Sequence, residues 1–251
     1  MILPGLRRMF ERHARLRAVI DAVLEGRGGR VVTVGDGPPD AALLDYGCYR
    51  IPGGDQDSPH ARALLASLAG PCEIVVPDDD AWRSLIGDVF GDRVGDRSMA
   101  SYAPGPDLAA RVAALTEQVP DGYTLRPLDA GSAARVGADL SPHGVDVLGG
   151  PARFVERGFG RGLFEGDTPV CVSTSYAVSS RFVEVSIATH PDHRRRGLAA
   201  CAAAAMIVDA LGRDLEPHWN AFNPVSKRLA TRLGFADAGV CEILALDFED
   251  T

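Results

Sequence analysis

No stretch of the chain is apolar for long enough to span a bilayer, and residues 1–8 lack the apolar core of a secretory signal. Both absences predict a cytoplasmic protein with no membrane partner. No CxxC pair occurs, nor any Cys/His spacing suited to a metal. Cys48, Cys72, Cys171, Cys201 and Cys241 are odd in number and are expected to be reduced, mostly buried thiols. Basic charge is short as well: 26 Lys and Arg against 34 Asp and Glu give a net charge of −8, which argues against nucleic acid as the partner. No zinc, haem, nicotinamide or nucleoside-triphosphate motif appears. Gly158-Phe159-Gly160-Arg161-Gly162 is rich in glycine, but it falls between a predicted helix and strand and is expected to be a turn. No internal sequence repeat is visible. What is present is a chain of 251 residues, 46% apolar, long enough for one large domain or two small ones.

The most informative stretch is residues 182–200. Val183, Val185 and Ile187 alternate with Glu184 and Ser186, the period of a half-buried strand. His190-Pro191-Asp192 ends it, because proline has no N–H to give to a ladder. After Arg194-Arg195-Arg196-Gly197 comes an Ala-rich run, Leu198 to Leu211, with strong helix propensity. A strand, an Arg/Gly turn and a helix start make an anion site, since free N–H groups converge there and the helix dipole adds partial positive charge.

Arg194-Arg195-Arg196-Gly197-Leu198-Ala199 resembles the Arg/Gln-x-x-Gly-x-Gly/Ala signature of the GCN5-related N-acetyltransferase (GNAT) superfamily. Ile187-x-Thr189-x-Pro191 stands where that family has Leu-x-Val-x-Pro, and residues 219–235 resemble its second cofactor segment, an Asn followed by a helix and Leu233-Gly234-Phe235. The resemblance covers roughly residues 122–248. It implies acetyl-CoA as cofactor, with direct transfer to a small-molecule or protein amine in a ternary complex. The main chain of Arg195 to Ala200 would hold the pyrophosphate, with Leu198 and Ala199 between. Gly197 would let the phosphates come close. Arg194 fills the first motif position, while Arg195 and Arg196 are equally well a solvated basic corner. Pantetheine would lie beside Ile187, Ala188 and Thr189 like an added strand. Asn223 would bond the cofactor arm, serve as a helix N-cap before Pro224, or do both, and Ser226 would lie close by. The pattern Pro217-x-Trp219 with Asn223-Pro224-x-Ser226 also resembles a bacterial subgroup with an N-terminal extension.

The chemistry is less legible. Glu184 is the candidate general base, with Ser186 on its face to orient a water. Its spacing to Ile187 is three rather than about four, which reverses its face unless a bulge intervenes. The alternative is an exposed strand residue opposite a basic side chain. His218 and Asn220 are further acceptor-side candidates. Ala230 stands where relatives carry a tyrosine acid, and this departure leaves a non-catalytic acyl-CoA sensor as the alternative function.

The organisation expected is α/β with a mixed sheet. An N-terminal α/β domain (1–118), which could be a degenerate copy of the same fold, precedes an acetyltransferase domain (119–251), with Gln118–Gly122 as the seam. In the first half an amphipathic helix over 6–24, a strand at 31–34, a strand within 43–51, helices over 60–68 and 80–90 and a strand at 73–76 are predicted. In the second, helices at 107–117 and 130–138, a helix opening at Pro151, and strands at 158–163, 170–177 and 181–189 are predicted.

Overall fold

The computed structural model describes residues 5–13, 15–68, 73–136, 140 and 143–246. The chain forms two compact units, residues 1–99 with 240–251 and residues 100–239. Cys72 and part of the helix expected over 130–138 lie outside the described residues.

The first unit runs through α1 (Leu6–Met9), α2 (Arg17–Leu24), β1 (Arg30–Val32), β2 (Ala41–Tyr46), β3 (Tyr49–Gly54), α3 (Pro59–Ala66), β4 (Glu73–Val75), α4 (Asp80–Phe90) and the opening of β5 (Val94–Pro104). Strands β1, β2 and β3 form an antiparallel meander, and β4 joins parallel to β3 through the α3 crossover. Residues 244–246 then pair antiparallel with β4. Leu43, Leu64, Leu65, Trp82, Ile86 and Phe90 fill its core. Two expectations are corrected here. The single strand within 43–51 is a hairpin, because Gly47 takes a φ of 55° and reverses the chain. The helix over 6–24 is broken between α1 and α2, where buried His13 meets the Pro52 carbonyl at 3.0 Å.

The second unit takes up the end of β5 and continues through α5 (Leu108–Thr116), β6 (Thr124–Pro127), α6 (Ala130–Ala133), α7 (His143–Asp146), α8 (Pro151–Arg157), β7 (Gly160–Glu165), β8 (Thr168–Val178), β9 (Phe182–Thr189), α9 (Leu198–Leu211), β10 (Glu216–Ala221), α10 (Pro224–Leu233) and the opening of β11 (Phe235–Leu246). Strands β6 to β9 form an antiparallel meander. β10 joins parallel to β9 through the α9 crossover, and Ala100–Tyr102 pair antiparallel with β10. This is the connectivity of the first unit with one more strand in the meander. The tract 118–122 lies inside this unit, just after α5, which packs on α9.

One face of the second sheet is covered by α9 with α5 and α10. Val183, Val185, Trp219 and Ala221 pack beneath Ala200, Ala203, Ala204, Met206 and Ile207. The run of alanines lets α9 lie close to the strands, as dense packing of small side chains requires. Arg161 on β7 fixes the helix by a forked ion pair to Asp209, 2.6 and 2.7 Å. The opposite face carries α6, α7 and α8 over Leu128, Phe164 and Val172. The glycine-rich tract 158–162 is a helix end leading directly into β7.

Candidate active site

β9 and β10 pair only from Phe182 with Glu216 to Glu184 with His218. Beyond that point β9 follows β8 as far as Thr189, while β10 follows β5 as far as Ala221. The two strands therefore part, and among the described residues the main chain of residues 185–189 has no strand partner on the β10 side. A free strand edge of this kind accepts an extended, amide-bearing ligand.

The turn that follows β9 is shaped for an anion. Arg195 and Gly197 both take positive φ, 62° and 83°. Among the described residues, no main-chain carbonyl takes the N–H groups of Arg195 to Ala199. Successive N–H groups in such a turn, at the start of a 14-residue helix, form a cradle for phosphate oxygens. A Cβ at Gly197 would meet nothing within 4 Å, so the cradle is open. Two of the three arginines brace the turn. Arg194 Nε donates to the Thr189 carbonyl at 3.2 Å. Arg196 donates to the Tyr123 hydroxyl at 2.7 Å and to the Asp192 carbonyl at 3.0 Å. Tyr123 in turn meets His193 Nδ1 at 3.0 Å. The Arg195 side chain is exposed. These residues fit a pyrophosphate, and Arg194, Arg195 and Arg196 are all exposed at the turn. Across the gap, the Asn223 carbonyl oxygen caps α10 by accepting from the Ser226 N–H at 2.9 Å. Ser226 Oγ accepts from the buried Trp219 indole, also at 2.9 Å. Phe222 and Val225 stand beside them 46% and 67% exposed.

Glu184 lies where the strands part. It is not exposed and among the described residues it faces no basic side chain: its relative exposure is 4%, and both carboxylate oxygens accept from Asn220. Oε1 takes the Asn220 backbone N–H and Oε2 takes Nδ2–H, each at 2.9 Å. Asn220 Oδ1 accepts from Ser101 Oγ on β5 at 2.7 Å. Burial pushes the Glu184 carboxyl up to about 8, against the two hydrogen bonds from Asn220, which favour the ionised form. No bulge interrupts β9 at Glu184; the register shift of this strand pair lies in β8, between Ser175 and Ala177, opposite Val185 and Glu184. β9 itself alternates regularly, with Val183 and Val185 toward α9 and Glu184 and Ser186 on the other face.

Ser186 continues that face, paired in register with Thr174. Helix α7 packs against β8, and a Cβ on Gly144 would collide with Thr174 Oγ1 and stand 3.7 Å from Ser186 Cβ. His218 shares the register of Glu184, but its ring packs tilted against Phe182 and its Nε2 meets Glu216 at 3.1 Å. Ala230 is fully buried in the core, so no hydroxyl is offered there. Ile187, Ala188 and Thr189 line the free edge, and Leu198 and Ala200 anchor the cradle from below, both buried. Ser101 and Tyr123 escaped the sequence reasoning. Tyr123 directly precedes β6, but its partner His193 is 70 residues away. No local pattern ties Ser101 to Asn220, 119 residues on. Among the described residues no cluster of His, Cys, Asp or Glu could hold a metal ion, and no helix is long and apolar enough to cross a membrane.

Comparison with known proteins agrees with this arrangement. No curated protein matches the chain. A GCN5-related N-acetyltransferase-like protein from Streptococcus suis shares 26% identity and superposes with a TM-score of 0.84, over 96% of both chains. A GNAT-family structure from Novosphingobium aromaticivorans, 17% identical, covers 96% of this chain and 100% of its own at a TM-score of 0.57. A tandem GNAT protein of clavulanic acid biosynthesis, 12% identical, covers 88% and 84% at a TM-score of 0.57. The model of the GNAT acetyltransferase family matches residues 7–242, and with the parted strands and the Arg/Gly turn this establishes that the chain belongs to that family.

Proposed function

We propose that the protein is an acetyl-CoA-dependent N-acetyltransferase that passes the acetyl group directly to an amine within a ternary complex. The observation that carries this reading is the position of Glu184. A buried carboxylate with no cationic partner of its own stands where β9 and β10 separate, at the inner end of the gap that would admit the pantetheine arm. Acetyl-CoA, when bound, supplies the acetyl thioester.

The chain's residues supply the rest. The N–H groups of Arg195 to Ala199 hold the pyrophosphate, and the edge of Ile187, Ala188 and Thr189 aligns the arm by main-chain bonds. Asn223 and Ser226 border the arm from α10, with Phe222 and Val225 as apolar contacts. Glu184 accepts the proton that the attacking ammonium must lose, directly or through a water set by Ser186. With acetyl-CoA bound, the ammonium would lose two protons: one to Glu184, which frees the lone pair, and a second that would leave with the thiolate as the C–N bond replaces the C–S bond. His218, tied to Glu216, shapes the acceptor side.

Buried Ala230, at the place of the tyrosine acid that the resemblance leads one to expect, favours a second reading, a protein that binds acyl-CoA without turning it over. Titration with acetyl-CoA in a calorimeter, with dephospho-CoA as control, tests the cofactor first. Micromolar binding followed by amine-dependent release of CoA thiol supports the enzyme. Binding without release for any amine supports the sensor, and no binding by the folded protein refutes both.

A further inference from the structure

The hydrogen bonds around Glu184 have a direction, and a residue from outside the cofactor motifs sets it. Glu184 Oε1 is fixed by a backbone N–H, which can only donate. The Asn220 amide can face Oε2 with either end: its NH2, which suits an ionised carboxylate, or its carbonyl, which suits a protonated one. Ser101 decides between them. Its hydroxyl is 3% exposed, and it donates to Asn220 Oδ1 at 2.7 Å. If the amide turned over, Ser101 Oγ would receive the NH2. Its own proton would then need another acceptor, and among the described residues it makes no other hydrogen bond. A buried donor left unsatisfied costs about 1–3 kcal/mol. The hydroxyl therefore holds the amide with its NH2 toward Glu184.

We infer that Ser101 is a positioning residue: by giving its proton to Asn220 Oδ1 it turns the amide donor onto Glu184 and selects the ionised carboxylate. The inference rests on the base role proposed above for its consequence in turnover, but not for the arrangement itself. The titratable groups on the strands around it in this unit are Cys171 and Tyr176 on β8, Tyr102 on β5, and on β10 His218, in register with Glu184 and engaged by Glu216; none of them contributes to the raised Glu184 value. No cation from these strands or from β5 offsets the burial of Glu184. Control of its charge falls to the Ser101–Asn220 relay. When Glu184 takes a proton during transfer, the same relay favours its release, since the protonated carboxyl faces a donor.

The test is to follow the Glu184 side-chain carboxyl by 13C NMR against pH in the parent, Ser101→Ala and Ser101→Thr, alongside the pH dependence of turnover. In Ser101→Ala the amide loses its orienting partner, and the Glu184 midpoint rises by about one pH unit, a roughly tenfold change in proton affinity. Ser101→Thr, which restores a hydroxyl, returns the midpoint toward the parent value. Should the alanine variant fail to fold, Ser101→Cys keeps the size with a weaker donor and gives a smaller upward shift. An unmoved midpoint in a folded Ser101→Ala or Ser101→Cys variant overturns the positioning role. A shifted midpoint in a protein that turns over no amine upholds the positioning role and refutes the transferase reading, so the two fail separately.

Discussion

Replacing Glu184 by glutamine tests the burial argument through stability alone. In the unfolded chain Glu184 ionises at its ordinary 4.5, whereas burial raises it to about 8 in the folded protein. Between those values the unfolded state has released its proton and the folded state has kept it. Stability therefore falls as pH rises across this window, by about 1.4 kcal/mol for each pH unit. The contribution is fully present below the unfolded value and is gone once pH has passed the folded one. From about pH 5 to about pH 8 the loss approaches 4 kcal/mol, a large part of the stability of an ordinary domain. The glutamine side chain carries no charge at any pH. Like protonated Glu184, it presents an N–H or O–H where Asn220 now donates, so the Asn220 amide must turn over in the variant. Urea denaturation of parent and variant across this range isolates the effect, because every other titrating group cancels in the difference. The variant is expected to match the parent near pH 5 and to exceed it progressively toward pH 8, while losing turnover and keeping acetyl-CoA affinity. A difference that stays flat within about 0.5 kcal/mol over that range refutes the raised value and the burial argument behind it.

Gly197→Glu places a carboxylate in the open cradle. At about 5 Å from a phosphate and an effective dielectric of about 20, the repulsion is about 3 kcal/mol, so calorimetric affinity for acetyl-CoA falls roughly a hundredfold. Gly197→Ala, which bears only the backbone strain of about 1–2 kcal/mol at positive φ, separates charge from strain. An unchanged affinity in the glutamate variant removes the phosphate assignment. Ser226→Ala leaves the buried Trp219 indole N–H without its acceptor. Denaturation is expected to show a loss of about 1–3 kcal/mol with altered tryptophan fluorescence, and a loss below about 0.3 kcal/mol contradicts the bond. Calorimetric stoichiometry is expected to be one acetyl-CoA per chain, and a second equivalent of similar affinity would show that the first unit also binds.

Local signals were legible where chemistry and periodicity coincide. The helix over Leu198–Leu211, the strand ending at Thr189 and the N-cap at Asn223 follow from alanine content, alternation and Asn before Pro, all of which act within a turn or two. The break between α1 and α2 was not legible, because apolar spacing continues through it and the anchor of His13 is Pro52, on β3. The burial of Glu184 was hidden for the same reason. Its neighbour Asn220 comes from β10, which the α9 crossover brings beside β9, and Ser101 comes from β5 on the far side of β10, so no alternation pattern within residues 182–189 reports them. Whether a bulge would intervene near Glu184 was not legible either, because a register shift belongs to a pair of strands, and the one present lies in β8.

The repeated connectivity of the two units explains why a copy of the fold need not be a copy of the site. Asp79 caps α4 by accepting from the Trp82 N–H, as Asn223 caps α10. Counting back equally from each cap reaches Ile74 on β4 and His218 on β10. Their parallel-strand partners are Tyr49 and Glu184, so a buried tyrosine occupies the place of the carboxylate. Where Arg194–Gly197 precede α9, Asp55, Gln56, Asp57 and Ser58 precede α3. Ser58 caps that helix with its own hydroxyl, and the aspartates repel an anion. A cavity of about 350 Å³ at the end of β4 is bordered by side chains already joined in ion pairs, Arg12 with Asp79 and Arg83 with Glu242. Binding an anion there would mean separating those pairs within an acidic setting, whereas the cradle at Arg195–Ala199 presents donors that have no main-chain acceptor to lose. The same strand order thus carries the candidate site in the second unit without its counterpart at the matching residues of the first, because the affinity of such a site comes from the residues at its edge rather than from the strand order.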